Sequence, residues 1–389
     1  MRTIASPARM RIIAKLKPAC VSIVTIVISL LLFVRCPNSD NGNSGSAGGS
    51  GGSGNSNTSP VVVGGATNTA LNLTGVVTTF AGSTAGTNDG TGTGAQFNSV
   101  TGLTSDGTNL YAVDGNRIRK IVIATGVVTT LAGTTTAGST DATGTSASFN
   151  APFGLTTDGT YLYIADAFNY KIRRLTISTG VVTTFAGGTQ GYLDATGATA
   201  QFDRPYGIFS DNTNLYVTDT WNNKIRKIVI SSTAVTTLAG AGPGNVDGTG
   251  TGATFNTPRS LTADTSGNLI IGDYANCRIR KLNITSTVVS LIAGTTVGAY
   301  ADGTGSAASF SNPQGITSDG TYAYVADSSN NRIRKVHIST GVVTTLAGSG
   351  TATNVDGTGA GASFSGPTGI TTDGKSLFVG AGVQIRKID

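Results

Sequence analysis

A seven-residue motif, Val-Val-Thr-Thr-Leu-Ala-Gly or a close variant, recurs six times along the chain at a period of about 53 residues. The copies end at Gly82, Gly133, Gly187, Gly240, Gly294 and Gly348. Each repeat contains four short runs of β-favouring residues, separated by Gly, Asp and Asn, which favour turns. Four strands per repeat at this period are typical of a propeller blade. The sequence therefore predicts an all-β, six-bladed β-propeller of four-stranded antiparallel blades.

The four runs of each repeat, which we call strands a to d, differ in composition according to their expected place in a blade. They read Gly-Leu-Thr-x-Asp, Leu-Tyr-Val-x-Asp, Arg-Ile-Arg-Lys-Ile-x-Ile and Val-Val-Thr-Thr-Leu-Ala-Gly, respectively. The almost continuously apolar strand b is expected in the middle of the sheet, because neighbouring blades cover both of its faces. The Val/Thr pattern of strand d indicates an outer, half-solvated strand.

The ends of the repeat array predict how the ring closes. The first repeated element is a strand d at residues 76–82, and the last is a strand c at residues 384–388. The final blade therefore lacks its outer strand unless the first segment supplies it. We expect residues 76–80 to pair antiparallel with residues 384–388, which would remove the exposed edges of an open sheet.

Two motifs of the repeat resemble NHL repeats. They are Pro-x-Gly-Ile, as at residues 205–208, and Asp-x-x-Asn-x-x-Ile-Arg-Lys, as at residues 219–227. An Asp-Gly-x-Gly-x-x-x-x-Phe insertion is similar to the bacterial type of this family. The resemblance covers about residues 73–389 and implies a six-bladed propeller. Blades one and six depart from it, being two residues shorter between strands b and c, and blade six has Ala381 in place of the strand b Asp.

The first 36 residues have the features of a targeting segment. Residues 1–17 are basic, residues 19–34 are uncharged and largely apolar, and Cys36 follows. Residues 38–57 are almost purely Ser, Gly and Asn, a composition that cannot form a core. This order is similar to that of bacterial lipoproteins, which implies lipidation at Cys36, although Arg35 does not fit their cleavage site. An uncleaved signal anchor and an ordinary secretory signal are the alternatives.

These features divide the chain into a signal peptide or membrane anchor at residues 1–36, a flexible tether at 37–70 and the propeller at 71–389. They predict a protein outside the cytoplasm, anchored to the membrane of a bacterial cell envelope, in the periplasm or at the cell surface. Cys20 and Cys36 precede the repeats, so Cys277 cannot form a disulfide within them.

The net charge of +6 arises almost entirely in the targeting segment. Six basic residues and no acidic residue lie in the first 36 positions, whereas the rest of the chain is nearly balanced. Nucleic-acid binding requires an excess of positive charge on one face, so we expect no nucleic-acid partner.

Residues that are constant among the six copies are expected to maintain the fold. An Asp stands eight residues before a Phe in every copy, as Asp194 does before Phe202. We interpret this Asp as part of an Asx-turn; calcium binding is the alternative, but one carboxylate per loop supplies too few ligands. The strand b Asp and the strand c Arg, such as Asp219 and Arg226, are expected to form a buried structural pair.

Residues that vary among the copies are the candidates for ligand binding. They follow the Pro of the Pro-x-Gly motif or lie in the b-to-c turns, and both positions are expected at one end of the ring. Aromatic residues with Arg are typical of binding patches, although ordinary packing would also explain them. The candidate ligand-binding residues are Phe153, Phe168, Tyr206, Trp221, Arg259, Tyr274 and Gln314.

Catalysis finds little support in the sequence. His337 is the only histidine, it lies in a strand c run, and the chain contains no Glu. No Ser-His-Asp set can be assembled, no zinc site can be built on histidines, and we predict neither a catalytic residue nor a metal or other cofactor.

The sequence thus predicts a non-enzymatic, monomeric propeller, tethered to a membrane, that recognises a protein, a peptide or a glycan through one face. The alternatives are a metal-assisted lyase or lactonase acting in the central channel, as in some similar propellers, and a purely structural envelope component.

Overall fold

Six antiparallel sheets, one for each blade, surround a central channel. The structure is a computed structural model that describes residues 70–389. Innermost strands of successive blades lie side by side, and the last lies beside the first. The predicted all-β, six-bladed propeller is confirmed.

Strand a is innermost, where the backbones of neighbouring blades come closest. A Cβ atom on Gly102 would collide with the carbonyl oxygen of Phe153 in the next blade, and one on Gly154 with that of Tyr206. Glycine avoids this collision, which explains the Gly of the Pro-x-Gly motif in five blades, whereas blade four has Ser260 at this position. The six a strands are Val100–Ser105, Leu155–Thr157, Pro205–Ser210, Pro258–Ala263, Pro313–Ser318 and Pro367–Thr372.

Strand b is buried on both faces, as its apolar sequence predicts. In four blades it carries a tyrosine that is at most 1% exposed. The hydroxyl group of Tyr216, for example, donates a hydrogen bond to Asp211 in the a-to-b turn, at 3.0 Å. The b strands are Asn109–Asp114, Tyr161–Asp166, Asn214–Asp219, Asn268–Asp273, Tyr322–Asp327 and Leu377–Ala381.

Strands c and d complete each blade towards the outside. The c strands are Arg117–Val122, Lys171–Thr176, Lys224–Val229, Arg278–Asn283, Arg332–His337 and Gln384–Ile388. The d strands of the first five blades are Val127–Gly133, Val182–Gly187, Val235–Ala239, Val288–Ala293 and Val342–Ala347. Exposed and buried residues alternate at the start of strand d, as expected for an outer strand.

The sixth blade takes its d strand from the start of the described chain, so the predicted closure is confirmed. Val76–Ala81 pairs antiparallel with Gln384–Ile388, with Val77 opposite Ile388 and Thr79 opposite Arg386. The backbone amide of Thr74 extends the pairing by donating to the carbonyl oxygen of Asp389, at 2.8 Å.

The loops from strand d to the next strand a contain short elements that the repeat pattern did not predict. Two-residue strands lie beside strand d in four blades: Gly90–Thr91, Gly248–Thr249, Gly303–Thr304 and Gly357–Thr358. Another, Thr189–Gln190, pairs in parallel with Gln201–Phe202. A 3-10 turn begins at the glycine that recurs in every loop: Gly92–Gly94, Gly144–Ser146, Gly197–Thr199, Gly250–Gly252, Gly305–Ala307 and Gly359–Gly361.

The b-to-c turns exist in two forms, according to their length. Blades two to five form a 3-10 turn: Ala167–Asn169, Thr220–Asn222, Tyr274–Asn276 and Ser328–Asn330. Blades one and six, which are two residues shorter, form tight turns at Gly115 and Gly382, whose φ angles are 59° and 63°. Glycine adopts this left-handed conformation without strain.

Two of the predicted segments cannot be compared with the structure. The signal segment at residues 1–36, including Cys36, and nearly all of the tether at 37–70 lie outside the described residues. Within residues 70–389, no helix has the length and apolar character needed to cross a membrane.

Candidate functional site

The b-to-c turns and the d-to-a loops lie at the same end of the channel, as expected from the alternating direction of the strands. The side-chain amide of Asn222, in a b-to-c turn, donates to the carbonyl oxygen of Gly191, in a d-to-a loop, at 2.6 Å. In blade two, the side-chain amide of Asn169 makes the equivalent hydrogen bond to the carbonyl oxygen of Gly138, at 2.7 Å. We call this end the loop face and the opposite end, formed by the a-to-b and c-to-d turns, the turn face.

The constant charged residues form one cluster in each blade. In blade three, Arg226 lies 2.6 Å from Asp219 and 2.7 Å from Asp194, and the arginine is fully buried. The Asp that precedes Phe by eight residues is thus the second partner of the strand c arginine. Asp194 also accepts hydrogen bonds from the backbone amide and the hydroxyl group of Thr237. Both of its oxygens are engaged, which supports a structural role.

Sequence reasoning predicted the Asp219–Arg226 pair but missed the Asp194 contact. The signal was present, because Asp and Arg stand 30 to 33 residues apart in every copy. Burial raises the pKa of Asp219 to about 6, and the charge of Arg226 opposes this shift. The cluster therefore needs its arginine to keep the buried carboxyl ionised at neutral pH.

The described residues contain no grouping suited to metal binding. No three or more His, Cys, Asp or Glu side chains come together within residues 70–389. His337 lies on strand c, where its ring packs edge-on against Tyr322 with the ring centres 5.0 Å apart. It does not line the channel.

The variable residues after the Pro of the Pro-x-Gly motif gather at the loop-face mouth of the channel. Phe153, Tyr206, Arg259 and Gln314, one from each of four successive blades, line a recess of about 410 Å³, a volume that includes the open solvent at its mouth. Thr101 of blade one lines it as well. We call this site the channel recess. Four of the seven candidate residues therefore come together in one cavity.

An aromatic and cationic stack forms one wall of the channel recess. The rings of Phe153 and Tyr206 are stacked, with their centres 4.6 Å apart. The guanidinium group of Arg259 lies 5.4 Å from the centre of the Tyr206 ring and 3.6 Å from that of Tyr274. Tyr274, which is only 3% exposed, therefore acts behind the recess, by supporting Arg259.

A ring of aliphatic side chains closes the floor of the channel recess. Each strand a contributes one: Leu103, Leu155, Ile208, Leu261, Ile316 and Ile370. The same six side chains border a second cavity of about 570 Å³, open solvent included, which is otherwise lined by Ser and Thr residues and Phe209. The channel is thus divided by an apolar constriction. Sequence reasoning missed this constriction.

Comparison with known proteins agrees with the repeat pattern and the fold. No protein-family model matches the chain. NHL repeat-containing protein 2 of Bos taurus is 31% identical over 162 residues, which are 37% of this chain and 22% of that protein. The chain is an NHL-repeat propeller. Since the match spans about a fifth of that relative, nothing of the relative's own activity is carried over.

Solved structures share the architecture of this NHL-repeat propeller. A Bacteroides thetaiotaomicron protein of unknown function has a TM-score of 0.62 at 22% identity, covering 80% of this chain and 75% of its own. An auxiliary nutrient binding protein of the same organism has a TM-score of 0.62 at 18% identity, covering 81% and 76%. At these identities the likeness shows the fold.

The NHL-repeat propeller carries a second aromatic group beside the channel recess. Phe168 and Trp221, in the b-to-c turns of blades two and three, are 40% and 52% exposed. The guanidinium group of Arg204 lies between them, 4.5 Å from the centre of the Phe168 ring and 3.9 Å from that of Trp221. We call these three residues the rim clamp. The seven candidate residues thus divide into a channel recess, its supporting Tyr274 and this rim clamp.

Arg204 was missed by sequence reasoning, although it directly precedes Pro205. Residues at this position have positive φ angles in five blades, and that of Arg204 is 49°. Such a backbone conformation is unusual for a side-chain-bearing residue and redirects the chain at this point. The signal that could have identified Arg204 is its charge, because the equivalent positions are Ser99, Ala151, Thr257, Asn312 and Gly366.

Proposed function

We propose that this NHL-repeat propeller is an extracytoplasmic, membrane-tethered binding module that recognises a protein, a peptide or a glycan through its loop face. The observation that carries the proposal is the convergence of Phe153, Tyr206, Arg259 and Gln314 on one recess. Residues that differ among otherwise similar repeats are free of the shared structural role. Their convergence on a concave site is the usual arrangement of a ligand pocket.

The rim clamp extends this recognition surface outside the channel recess. Trp221 and Phe168 are large and exposed, and the guanidinium group of Arg204 packs against both rings. Aromatic and arginine side chains of this kind dominate the energetics of binding surfaces. The Bacteroides protein of the same fold is named as a nutrient binding protein. Because a fold alone does not decide function, the proposal depends on the recess and the clamp.

The position of residue 70 suits a tether that presents the loop face outwards. The backbone amide of Leu71 donates to Asp319, in an a-to-b turn, at 2.9 Å. The described chain therefore begins at the turn face, opposite the channel recess. A membrane attached through the preceding segment would leave the recess accessible. Replacing Cys36 with Ser should abolish labelling by radioactive palmitate if the tether is a lipid; persistent labelling would contradict lipidation at this residue.

Affinity capture from cell envelopes tests the proposal. We expect the wild-type chain to retain a partner and the Trp221→Ala variant to lose it, because this side chain is exposed and its loss leaves the core intact. The Lys375→Ala variant, altered at an exposed position on the turn face, is the control and should retain the partner. Equal capture by all three proteins would contradict recognition through the loop face.

A further inference from the structure

Arg259 is a partly buried cation for which the described chain provides no counter-charge. The strand c arginines, such as Arg226, each lie within 3.0 Å of a carboxylate. Within residues 70–389, by contrast, no carboxylate lies within ion-pair distance of Arg259 and no oxygen accepts a hydrogen bond from it. Burial lowers the pKa of Arg259, in keeping with its unpaired state. A buried charge without a partner is unfavourable, and an incoming anion would relieve this cost.

The contacts of Arg259 leave its hydrogen-bonding edge free. The guanidinium group uses its flat face against Tyr274, with 3.6 Å between its carbon atom and the ring centre. Its N–H groups lie in the plane of the guanidinium and point away from such a contact. Planar N–H donors of this kind match the two oxygens of a carboxylate in a bidentate arrangement. The side chain is therefore pre-arranged for a carboxylate.

Two hydroxyl groups in the walls of the recess are also unused, one next to Arg259 in blade four and one in blade one, across the channel from it. The Oγ1 atom of Thr101 and the Oγ atom of Ser260 are buried and have no hydrogen-bond partner, and both residues line the channel recess. Buried hydroxyl groups normally have a partner. The recess thus offers a carboxylate-binding group, an aromatic wall and an aliphatic floor, with two unpaired hydroxyl groups buried in its walls.

We propose that the channel recess binds the C-terminal end of a peptide, with its carboxylate on Arg259 and its last, apolar side chain on the aliphatic floor. This proposal rests on the proposed function and names the ligand class of the same site. The ring of aliphatic side chains lies between the recess and the second cavity, so the site favours an apolar chain end over a polar segment. An acidic sugar fits less well, because its several hydroxyl groups would face the aliphatic floor without hydrogen-bond partners.

A pair of synthetic peptides tests the carboxylate. Acetyl-Ala-Ala-Phe with a free C-terminus and the same peptide as its C-terminal amide are titrated into the detergent-solubilised full chain by calorimetry. We expect the acid to bind at least about tenfold more tightly, because a charge-assisted bidentate contact is lost in the amide. Equal affinities of acid and amide, or no binding of either, would overturn the proposal. This comparison needs no variant and is independent of any folding defect.

Two matched variants test the role of Arg259. Arg259→Leu should weaken binding of the acid about tenfold or more and remove the preference over the amide. Arg174→Leu removes a strand c arginine that also packs on aromatic rings, those of Tyr161 and Phe185, but outside the recess and the rim clamp, and should leave both affinities unchanged. An unchanged preference in Arg259→Leu would overturn the proposal.

The same titrations separate this proposal from the proposed function. If glucuronate binds in an Arg259-dependent manner and the peptide acid does not, the peptide assignment is wrong and an acidic glycan replaces it. If neither probe binds but Trp221-dependent capture of a partner persists, the ligand class fails while recognition through the loop face stands. Capture of a partner that does not depend on Trp221 would instead contradict the proposed function itself.

Discussion

At the scale of single residues, the constant and the variable positions of the repeat have separate roles. The constant arginine of strand c links the strand b Asp to the Asp of the preceding loop, as Arg226 links Asp219 and Asp194. Its guanidinium carbon also lies over the Phe of the same loop, 5.1 Å from the centre of the Phe202 ring. The cluster thus fastens the d-to-a loop, and with it the start of strand a, to the body of the blade.

Blade six provides a natural control for this cluster, since Ala381 replaces the strand b Asp and Arg386 pairs only with the half-exposed Asp356. We expect Arg226→Ala to lower the free energy of unfolding by about 3–5 kcal/mol, because it leaves Asp219 buried without its cation. Arg386→Ala leaves no buried carboxylate without its cation and should lower the free energy of unfolding clearly less. Urea unfolding of the two variants measures the difference. Equal losses would contradict the role assigned to the buried pair.

The Asp of the d-to-a loop gives a pH dependence of known sign. Burial disfavours the charged Asp141 carboxyl, but hydrogen bonds from the Thr184 amide and from Arg173 outweigh it, so its pKa lies below the usual 3.8. A lowered pKa stabilises the fold above the pKa of the unfolded chain, and this contribution is lost as the pH falls. The gap between the urea midpoints of wild type and Asp141→Asn should therefore narrow below about pH 4. A gap that stays constant from pH 7 to pH 3 would show that Asp141 does not contribute through its charge.

Much of the residue-level pattern was predictable because six copies of one repeat separate structural from variable positions. The pairing of Asp219 with Arg226 follows from their recurrence, the Asp in five copies of the repeat and the Arg in all six. The division of the candidate residues into channel recess and rim clamp does not follow from the sequence, because it depends on the radial distance of each residue from the channel axis. Arg204 shows the same limit, since its place between two rings results from a local backbone conformation.

At the scale of elements, the strands follow the sequence closely and the loops do not. Strands a to d follow from hydrophobic pattern and period, and the closing strand follows from the uneven ends of the array. The two-residue strands, such as Gly90–Thr91, and the 3-10 turns arise from contacts of Gly-rich loops with the adjoining blade. Such segments have little local preference, so tertiary contacts decide their structure.

The closing strand offers a matched pair of substitutions at adjacent positions. Val77 is 1% exposed and packs in the core between blades, whereas Thr78 is exposed and lies opposite Lys387. Val77→Asp would bury an unpaired charge and should lower the melting temperature by roughly 10 °C. Thr78→Asp places the same charge beside Lys387 and should change the melting temperature little. Similar melting temperatures for the two variants would argue against closure by this strand.

At the scale of the whole molecule, ring closure is what assembles the recognition surface. The hydroxyl group of Thr368 in blade six donates to the carbonyl oxygen of Val100 in blade one, at 2.6 Å, and joins the ends of the array beside the channel recess. Its position after Pro367 is variable among the repeats, yet it serves this junction and does not line the recess. The closed ring thus brings residues from successive blades to one cavity and leaves the start of the described chain at the opposite end.

The central claim is that a partner is recognised at the loop face, and site-specific photo-cross-linking in intact cells tests it most directly. A benzoylphenylalanine residue is placed at position 168, in the rim clamp, or at position 375, on the turn face. We predict a specific cross-linked partner from position 168 and none from position 375. A partner that cross-links from position 375 alone, or equally from both positions, would contradict the account.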